Sequence, residues 1–134
     1  MTPPLRGILD TSTVISLNRL APAQLPAEPL ITAITLAELS VGPLVASAAR
    51  DRAERQAVLQ RAEADFPSLP FDADAARAFG QVAASLRRKG RKASAPAYDA
   101  MIAAIALSRQ LPVYTTNPDD FVGIDGLEVV EVVP

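Results

Sequence analysis

The sequence predicts an α/β fold, in which a mostly parallel central sheet of about four or five strands is flanked by helices on both faces. Short apolar runs typical of strands alternate with longer segments of helical periodicity. The 134 residues are 49% hydrophobic and 21% charged, which is ordinary globular usage and excludes bulk disorder. This length suits one domain, and we expect residues 1–134 to form a single unit.

The N-terminal quarter is predicted to start with a strand. Residues 5–9 are an apolar run that ends at Asp10, and the hydroxyl-rich segment after it is typical of a helix start. Three prolines between residues 21 and 29 predict a connector, which excludes this segment from central strands and helix interiors. The apolar residues 30–34 are then expected to form the second strand.

The middle of the chain is predicted to be mainly helical. A helix is expected to start at Thr35 and to be interrupted by Gly42-Pro43. A long helix with a charged, solvated face then follows over about residues 44–64. A brief strand at 68–71 precedes a second long helix at 73–89.

The C-terminal third is expected to contain one helix and two strands. The segment from Tyr98 to Arg109, rich in Ala, Ile and Met, predicts the helix. Residues 112–116 and 127–133 predict the strands, with a turn between them at Asn117-Pro118.

The residues that are absent restrict the chemistry. The chain has no Cys, which excludes disulfides, thiolate nucleophiles and iron–sulfur clusters. It has no His, which excludes Ser-His-Asp triads and histidine-ligated metals. Carboxylates with a hard cation such as Mg²⁺ or Mn²⁺ are the natural combination that remains. No apolar run is long enough for a membrane span, and the N-terminus lacks the layout of a signal peptide, so we expect a cytoplasmic protein.

Acidic residues follow several of the predicted strands or open the helices after them. Their positions are Asp10, Glu38, Asp99 and the pair Asp119-Asp120. Ligands of open parallel sheets bind outside the carboxyl ends of the strands, where these acids can converge. Each acid also has a structural explanation. Asp10 can cap the helix that follows it, Thr35 and Glu38 can form a capping box, and the helix dipole favours Asp99 in a first turn. Together, however, carboxylates gathered in one cleft repel one another and need a cation.

Four short segments, in order, resemble the motifs of PIN-domain ribonucleases, in particular the VapC toxins of bacterial type II toxin–antitoxin pairs. These segments are Gly-Ile-Leu-Asp-Thr-Ser at 7–12, Thr-Leu-Ala-Glu-Leu at 35–39, Tyr-Asp-Ala-Met-Ile-Ala-Ala at 98–104 and Val-Tyr-Thr-Thr-Asn-Pro-Asp-Asp-Phe at 113–121. The resemblance extends over essentially the whole chain and implies a PIN-like three-layer fold.

Carried over by position, the resemblance implies that Asp10, Glu38 and Asp99 are the three acidic metal-site residues. The fourth position falls at Asn117, where many relatives have Asp, and Asp119 is the carboxylate that can replace it. The resemblance also places supporting hydroxyls near the site, at Ser12 and Thr116.

The implied activity is hydrolysis of RNA phosphodiester bonds with Mg²⁺ or Mn²⁺. Asp10 and Asp99 are the expected main ligands, Glu38 completes the set or orients the water, and Asp119 contributes a further oxygen. The family implies a cognate VapB-type antitoxin that inserts near the acidic groove, and a homodimer. The apolar residues of the 14–45 region could either line the antitoxin groove or lie in the core, and we expect most of them to lie in the core. These residues are Val14, Leu17, Leu36, Leu39, Val41 and Leu44.

RNA must bind to a chain whose net charge is −2, so a local basic patch is needed. A run of basic residues follows the second long helix and is the candidate phosphate clamp: Arg87, Arg88, Lys89, Arg91 and Lys92. A solvated helix end explains the same run equally well.

Two other functions are compatible with parts of the sequence. Phe71-Asp-Ala-Asp-Ala weakly resembles the motif of aspartyl-nucleophile phosphatases, but Ala75 stands where their motif has Thr. A catalytically silent PIN-like binding or scaffold module is the non-enzymatic alternative, since a fold does not guarantee an activity. Metal affinity distinguishes the scaffold from the nuclease.

Overall fold

The computed structural model describes residues 5–90 and 97–134. Its strands are β1 (Arg6–Leu9), β2 (Glu28–Thr32), β3 (Ser68–Leu69), β4 (Val113–Thr115) and β5 (Val129–Glu131). Its α-helices are α1 (Thr11–Ile15), α2 (Ala33–Val45), α3 (Ala49–Asp65), α4 (Ala73–Arg88) and α5 (Ala97–Arg109). Short 3₁₀ turns occur at Leu17–Arg19, Pro22–Gln24 and Pro118–Phe121.

The five strands form one sheet in the order β3-β2-β1-β4-β5, and every pair is parallel. In the centre, Ile8 lies opposite Leu30 on one side and Val113 on the other. The predicted parallel α/β sheet is therefore confirmed. The chain builds the sheet outward from β1 in one direction and then returns to add β4 and β5 on the other side. The carboxyl ends of β1 and β4 thus form the switch point at which ligands of such sheets bind.

Hydrophobic side chains cover both faces of the sheet. Because neighbouring strand residues point to opposite faces, Ile8 packs in one core cluster and Leu9 in the other. The first cluster contains α4 and α5 residues, among them Val82 and Ile105. The second contains residues of α1, α2 and α3, such as Leu39. The sheet is therefore the middle layer of three.

Helix α2 runs through Gly42-Pro43, which was predicted to interrupt it, and ends at Val45. Pro43 lies in the last turn, where it removes one backbone bond and leaves most of the helix intact. The Ala46 N–H still donates to the Gly42 carbonyl (3.2 Å), and Arg55 Nη1 donates to the same oxygen (3.0 Å). The long helix expected from residue 44 begins instead at Ala49, as α3.

Pro29 lies inside β2, an interior strand, although the prolines of 21–29 were expected to form only a connector. The Ile31 N–H donates to the Pro67 carbonyl at the β3 side (3.0 Å). Pro29, two residues earlier, has its nitrogen on the same side but lies beyond the end of the two-residue β3. No ladder bond is lost, because β3 is too short to reach it.

Strands β3 and β5 are shorter than the predicted 68–71 and 127–133. Across the described ranges, no helix combines the length and apolar character that a membrane crossing needs.

Candidate active site

Asp10 stands at the carboxyl end of β1 and is the N-cap of α1. Its Oδ1 accepts hydrogen bonds from the Thr13 N–H (2.9 Å) and the Ser12 hydroxyl (2.7 Å). The Asp10 N–H donates to the Tyr114 carbonyl (3.0 Å), which fixes this residue at the switch point beside β4. The predicted cap is confirmed, but a cap alone needs no burial, and Asp10 is only 2% exposed.

Asp99 lies in the first turn of α5, as predicted, and is half-buried. Burial, which is the largest cause, and the negative charges of Asp120, Asp10 and Glu38 together raise its pKa to about 7. These four carboxylates come from four separate parts of the chain. The structure therefore brings three predicted acids, Asp10, Glu38 and Asp99, within electrostatic reach of one another, with Asp120 as a fourth.

Glu38 belongs to the second turn of α2, because the helix begins at Ala33 rather than at Thr35. The cap is Thr32, whose hydroxyl oxygen accepts from the Thr35 N–H (3.2 Å). The proposed capping box of Thr35 and Glu38 is thus wrong. Glu38 Oε1 instead accepts from the hydroxyl of Thr11 (2.7 Å). The pKa of Glu38 is raised overall. Burial is the largest cause, the hydrogen bond from Thr11 acts in the opposite direction, and the charge of Asp10 adds to the increase.

The segment after β4 carries the remaining predicted residues. The Asn117 N–H donates to Thr115 Oγ1 (2.9 Å), and Asn117 and Asp119 are both exposed. The Thr116 N–H, not its hydroxyl, donates to Ser12 Oγ (3.3 Å). The Ser12 hydroxyl therefore connects Asp10 to this segment, because it donates to Asp10 and accepts from Thr116.

The sequence predicts Asp119, rather than its neighbour Asp120, as the site residue of this segment. Both residues lie on the 3₁₀ turn Pro118–Phe121 and are exposed. Asp120 is the carboxylate whose charge contributes most to the raised pKa of Asp99. The adjacent acids were the available signal, but local sequence does not tell which of the two faces α5.

The donor atoms of this cluster suit a hard divalent cation, since all are carboxylate oxygens that repel one another. Among residues 5–90 and 97–134, no group of three acidic side chains stands ready to hold a metal ion as it is placed. Asp10 Oδ1 already accepts two hydrogen bonds, so the other carboxylate oxygen, Oδ2, is the one that would hold a cation. The cluster thus has the chemistry of a metal site, and its Asp99 proton is what a cation would displace.

The basic run is only partly described, since Arg91 and Lys92 lie outside the described residues. Arg88 and Lys89 both pair with Asp125 (3.1 and 2.6 Å), and they hold the pKa of Asp125 below its usual value. Arg87 is exposed and forms no ion pair within the described part of the chain.

The basic end of α4 lies at the same end of the molecule as Asp99. Helices α4 and α5 pack against each other, and Asp72 at the start of α4 pairs with Arg109 at the end of α5 (3.3 Å). The two helices are therefore antiparallel. The end of the pair away from this ion pair carries both Arg88, at the end of α4, and Asp99, at the start of α5. A phosphate clamp beside the acidic cluster is compatible with this geometry.

A groove of about 550 Å³ lies next to the acidic cluster. We call it the Glu38 groove; it is lined by Thr11, Ile15, Glu38, Leu39, Gly42, Glu54, Arg55 and Val58. Of the apolar residues expected mainly in the core, Val14 and Leu39 are buried, and Leu17 and Leu36 pack against the core. Val41 and Leu44 are exposed instead, by 50% and 85%.

The phosphatase alternative loses its support in the structure. Asp72 is the N-cap of α4, and its Oδ1 accepts from the Ala75 N–H (3.0 Å). This backbone hydrogen bond and the charge of Arg109 lower the pKa of Asp72. Its role is to cap a helix.

The comparisons with known proteins agree with this architecture. The PIN domain family matches residues 8–127. Ribonuclease VapC5 of Mycobacterium tuberculosis is 42% identical over 135 residues, which cover 98% of this chain and 97% of that protein. The structure of VapBC-5, a VapBC toxin–antitoxin system of M. tuberculosis, matches with a TM-score of 0.86 and 42% identity over 96% of this chain and 100% of that one. DNA-bound VapBC from Salmonella typhimurium matches at a TM-score of 0.75 and 30% identity over 95% and 98% of the two chains. This chain therefore belongs to the PIN domain family and, within it, to the VapC group.

Proposed function

We propose that this protein is a metal-dependent endoribonuclease that acts as the toxin of a VapBC-type toxin–antitoxin pair. The observation that carries the proposal is the meeting of Asp10, Glu38, Asp99 and Asp120 near the switch point of the sheet, where burial and mutual repulsion raise the pKa of Asp99 to about 7. The 42% identity to Ribonuclease VapC5 over nearly the whole chain supports it. We also infer that residues 1–134 form one PIN-like domain.

Each carboxylate has a proposed role. Asp10 and Asp99 are the main ligands of Mg²⁺ or Mn²⁺, and Asp120 or Asp119 adds a further oxygen. Glu38 completes the set or orients the attacking water. A bound cation supplies Lewis acidity toward the scissile phosphate and this water. Ser12 and Thr13 hold Asp10 in place through its Oδ1.

The chain has no histidine to transfer protons, and we propose that the site carboxylates and water do so instead. Hydrolysis of this kind leaves a 5′-phosphate and a 3′-hydroxyl on the RNA. We propose that the exposed Arg87, with Arg88 and Lys89, binds the phosphate backbone, because the end of α4 lies on the Asp99 side of the molecule. We propose the same role for Arg91 and Lys92.

A VapB-type antitoxin is the partner that we propose for the Glu38 groove. The groove joins apolar residues such as Ile15 and Val58 to the acidic Glu38, which suits a peptide with apolar side chains and one cation. Exposed Leu44 and Val45 at the end of α2 extend the apolar surface. We expect the toxin itself to form a homodimer and to act in the cytoplasm.

The decisive experiment incubates antitoxin-free protein with total bacterial RNA and Mg²⁺ or Mn²⁺, and maps new 5′ ends. Asp99→Ala and EDTA are the negative controls, and Asp74→Ala, an exposed acid paired with Arg77 on α4, is the matched variant. We expect discrete cuts that disappear with Asp99→Ala or EDTA and persist with Asp74→Ala. Cuts that persist in Asp99→Ala contradict the site. Metal binding without any cleavage contradicts the activity, and absence of both favours the scaffold alternative.

A further inference from the structure

Two hydroxyl groups connect the buried interior of α2 to the carboxylate of Glu38. Thr11 Oγ1 donates to Glu38 Oε1 at 2.7 Å, and the same oxygen lies 3.0 Å from Thr35 Oγ1. Thr35 is fully buried, at 0% exposure, whereas Thr11 and Glu38 border the groove. Among the described residues, the hydrogen bonds that link the Thr35 hydroxyl to Glu38 pass through Thr11.

The direction of this chain follows from counting protons. A threonine hydroxyl has a single hydrogen, and that of Thr11 is used on Glu38. The contact between the two hydroxyls must therefore use the hydrogen of Thr35. The bonds run from Thr35 to Thr11 to Glu38, and each one polarises the next toward the carboxylate.

This arrangement fixes two acidic motifs relative to each other. Thr35 and Glu38 are three residues apart on one face of α2, while Thr11 is the first residue of α1, directly after Asp10. Thr11 holds one carboxylate oxygen of Glu38. In the described part of the chain, no protein group donates to the other oxygen, which leaves it for the cluster.

We propose that Thr35 is a positioning residue for Glu38 and acts through the hydroxyl of Thr11. Thr35 never touches the substrate; its hydrogen bond keeps Thr11 in the orientation that aims the carboxylate of Glu38. The inference deepens the proposed function and rests on it only in taking Glu38 as part of the reacting site.

The test compares Thr35→Val, which keeps the shape and removes the hydroxyl, with Thr35→Ser, which keeps the hydroxyl. We expect Thr35→Val to lower kcat and Mn²⁺ affinity by about tenfold each with KM unchanged, as for other residues that orient ligands. Thr35→Ser should restore both toward wild type. Thr11→Val, at a less buried position, gives the same pattern if Thr35→Val fails to fold.

A structural role in α2 predicts a different result. In a Glu38→Gln background, we expect Thr35→Val to cause no further loss of kcat or affinity, because its effect passes through Glu38. An equal loss in that background, or no rescue by Ser, overturns the proposal. If wild-type protein cuts no RNA, the proposed function fails. The positioning role of Thr35 is then tested separately, by comparing crystal structures of metal-free wild type and Thr35→Val. A displaced Glu38 carboxylate supports the proposal, and an unmoved one overturns it.

Discussion

The charge of Asp120 acts on Asp99, although one lies on a turn after β4 and the other in the first turn of α5. Burial is the first cause of the raised pKa of Asp99, and Asp120 is the largest electrostatic cause. An acid with a pKa of about 7 changes its charge close to neutral pH. Both stability and cation binding should therefore depend on pH through this residue.

In the absence of divalent metal, we expect Asp99→Asn to be more stable than wild type at about pH 8, by more than about 1 kcal/mol. The folded pKa lies above the unfolded value of 3.8, so folding favours the protonated acid, and this contribution is lost as pH rises toward 7. Near pH 4 the two proteins should be similar. Urea unfolding with EDTA at several pH values measures this.

Asp125→Asn is the matched control, with the opposite sign. Lys89 and Arg88 lower the pKa of the Asp125 carboxyl in the wild-type protein. The ionised carboxylate therefore stabilises the fold above the unfolded pKa, and this contribution is lost as pH falls. This variant should be less stable than wild type at neutral pH. A stability difference for Asp99→Asn that does not vary with pH contradicts the placement of Asp99 in a negatively charged, buried site.

Cation binding should release the proton of Asp99. We expect Mn²⁺ affinity to rise about tenfold between about pH 6 and about pH 8, because the acid must ionise to bind. Asp99→Asn and Glu38→Gln should each weaken binding, while Asp74→Asn, far from these acids in sequence and exposed, should not. Calorimetry at two pH values measures affinity and proton release together. Equal affinity in all three variants is incompatible with the proposed ligands.

Gly7→Ala should destabilise the fold by about 1–3 kcal/mol, since overpacking a filled core forces side chains to move. A Cβ at Gly7 would clash with Cε1 of Tyr114 and lie 2.8 Å from its Cδ1, and Tyr114 is only 3% exposed. Gly80→Ala is the control, because nothing lies within 4 Å of its added Cβ. In the interior of α4 that change should stabilise by about 0.5–1 kcal/mol. Thermal unfolding of both variants measures these changes. An equal loss of stability in the two variants would contradict the packing argument.

Arg87→Ala should weaken RNA binding without changing the free energy of unfolding. We expect the slope of log affinity against log salt to fall by about 1, as for one lost phosphate contact. Arg50→Ala on α3, whose side chain is 90% exposed, removes the same charge elsewhere. A nonspecific charge effect would make both variants alike, and that result would remove Arg87 from the RNA site.

Local sequence was sufficient for the features that depend on near neighbours. The cap at Asp10 and the first-turn position of Asp99 were predicted correctly, because both follow from residues within one helical turn. The start of α2 was not, since Thr32 and Thr35 are equally good cap residues. Pairing of β2 with its neighbours determines where the strand ends and therefore which threonine caps the helix.

By itself, the sequence determined the parallel α/β architecture and the family, and it singled out Asp10, Glu38 and Asp99 as candidate site residues. The tertiary structure alone decided that Glu38 accepts from Thr11, 27 positions away, and that Asp120 acts on Asp99. The physical reason is range. Periodicity and capping are set within a few residues, whereas carboxylates meet only after both faces of the sheet are packed and the ends of β1 and β4 are joined.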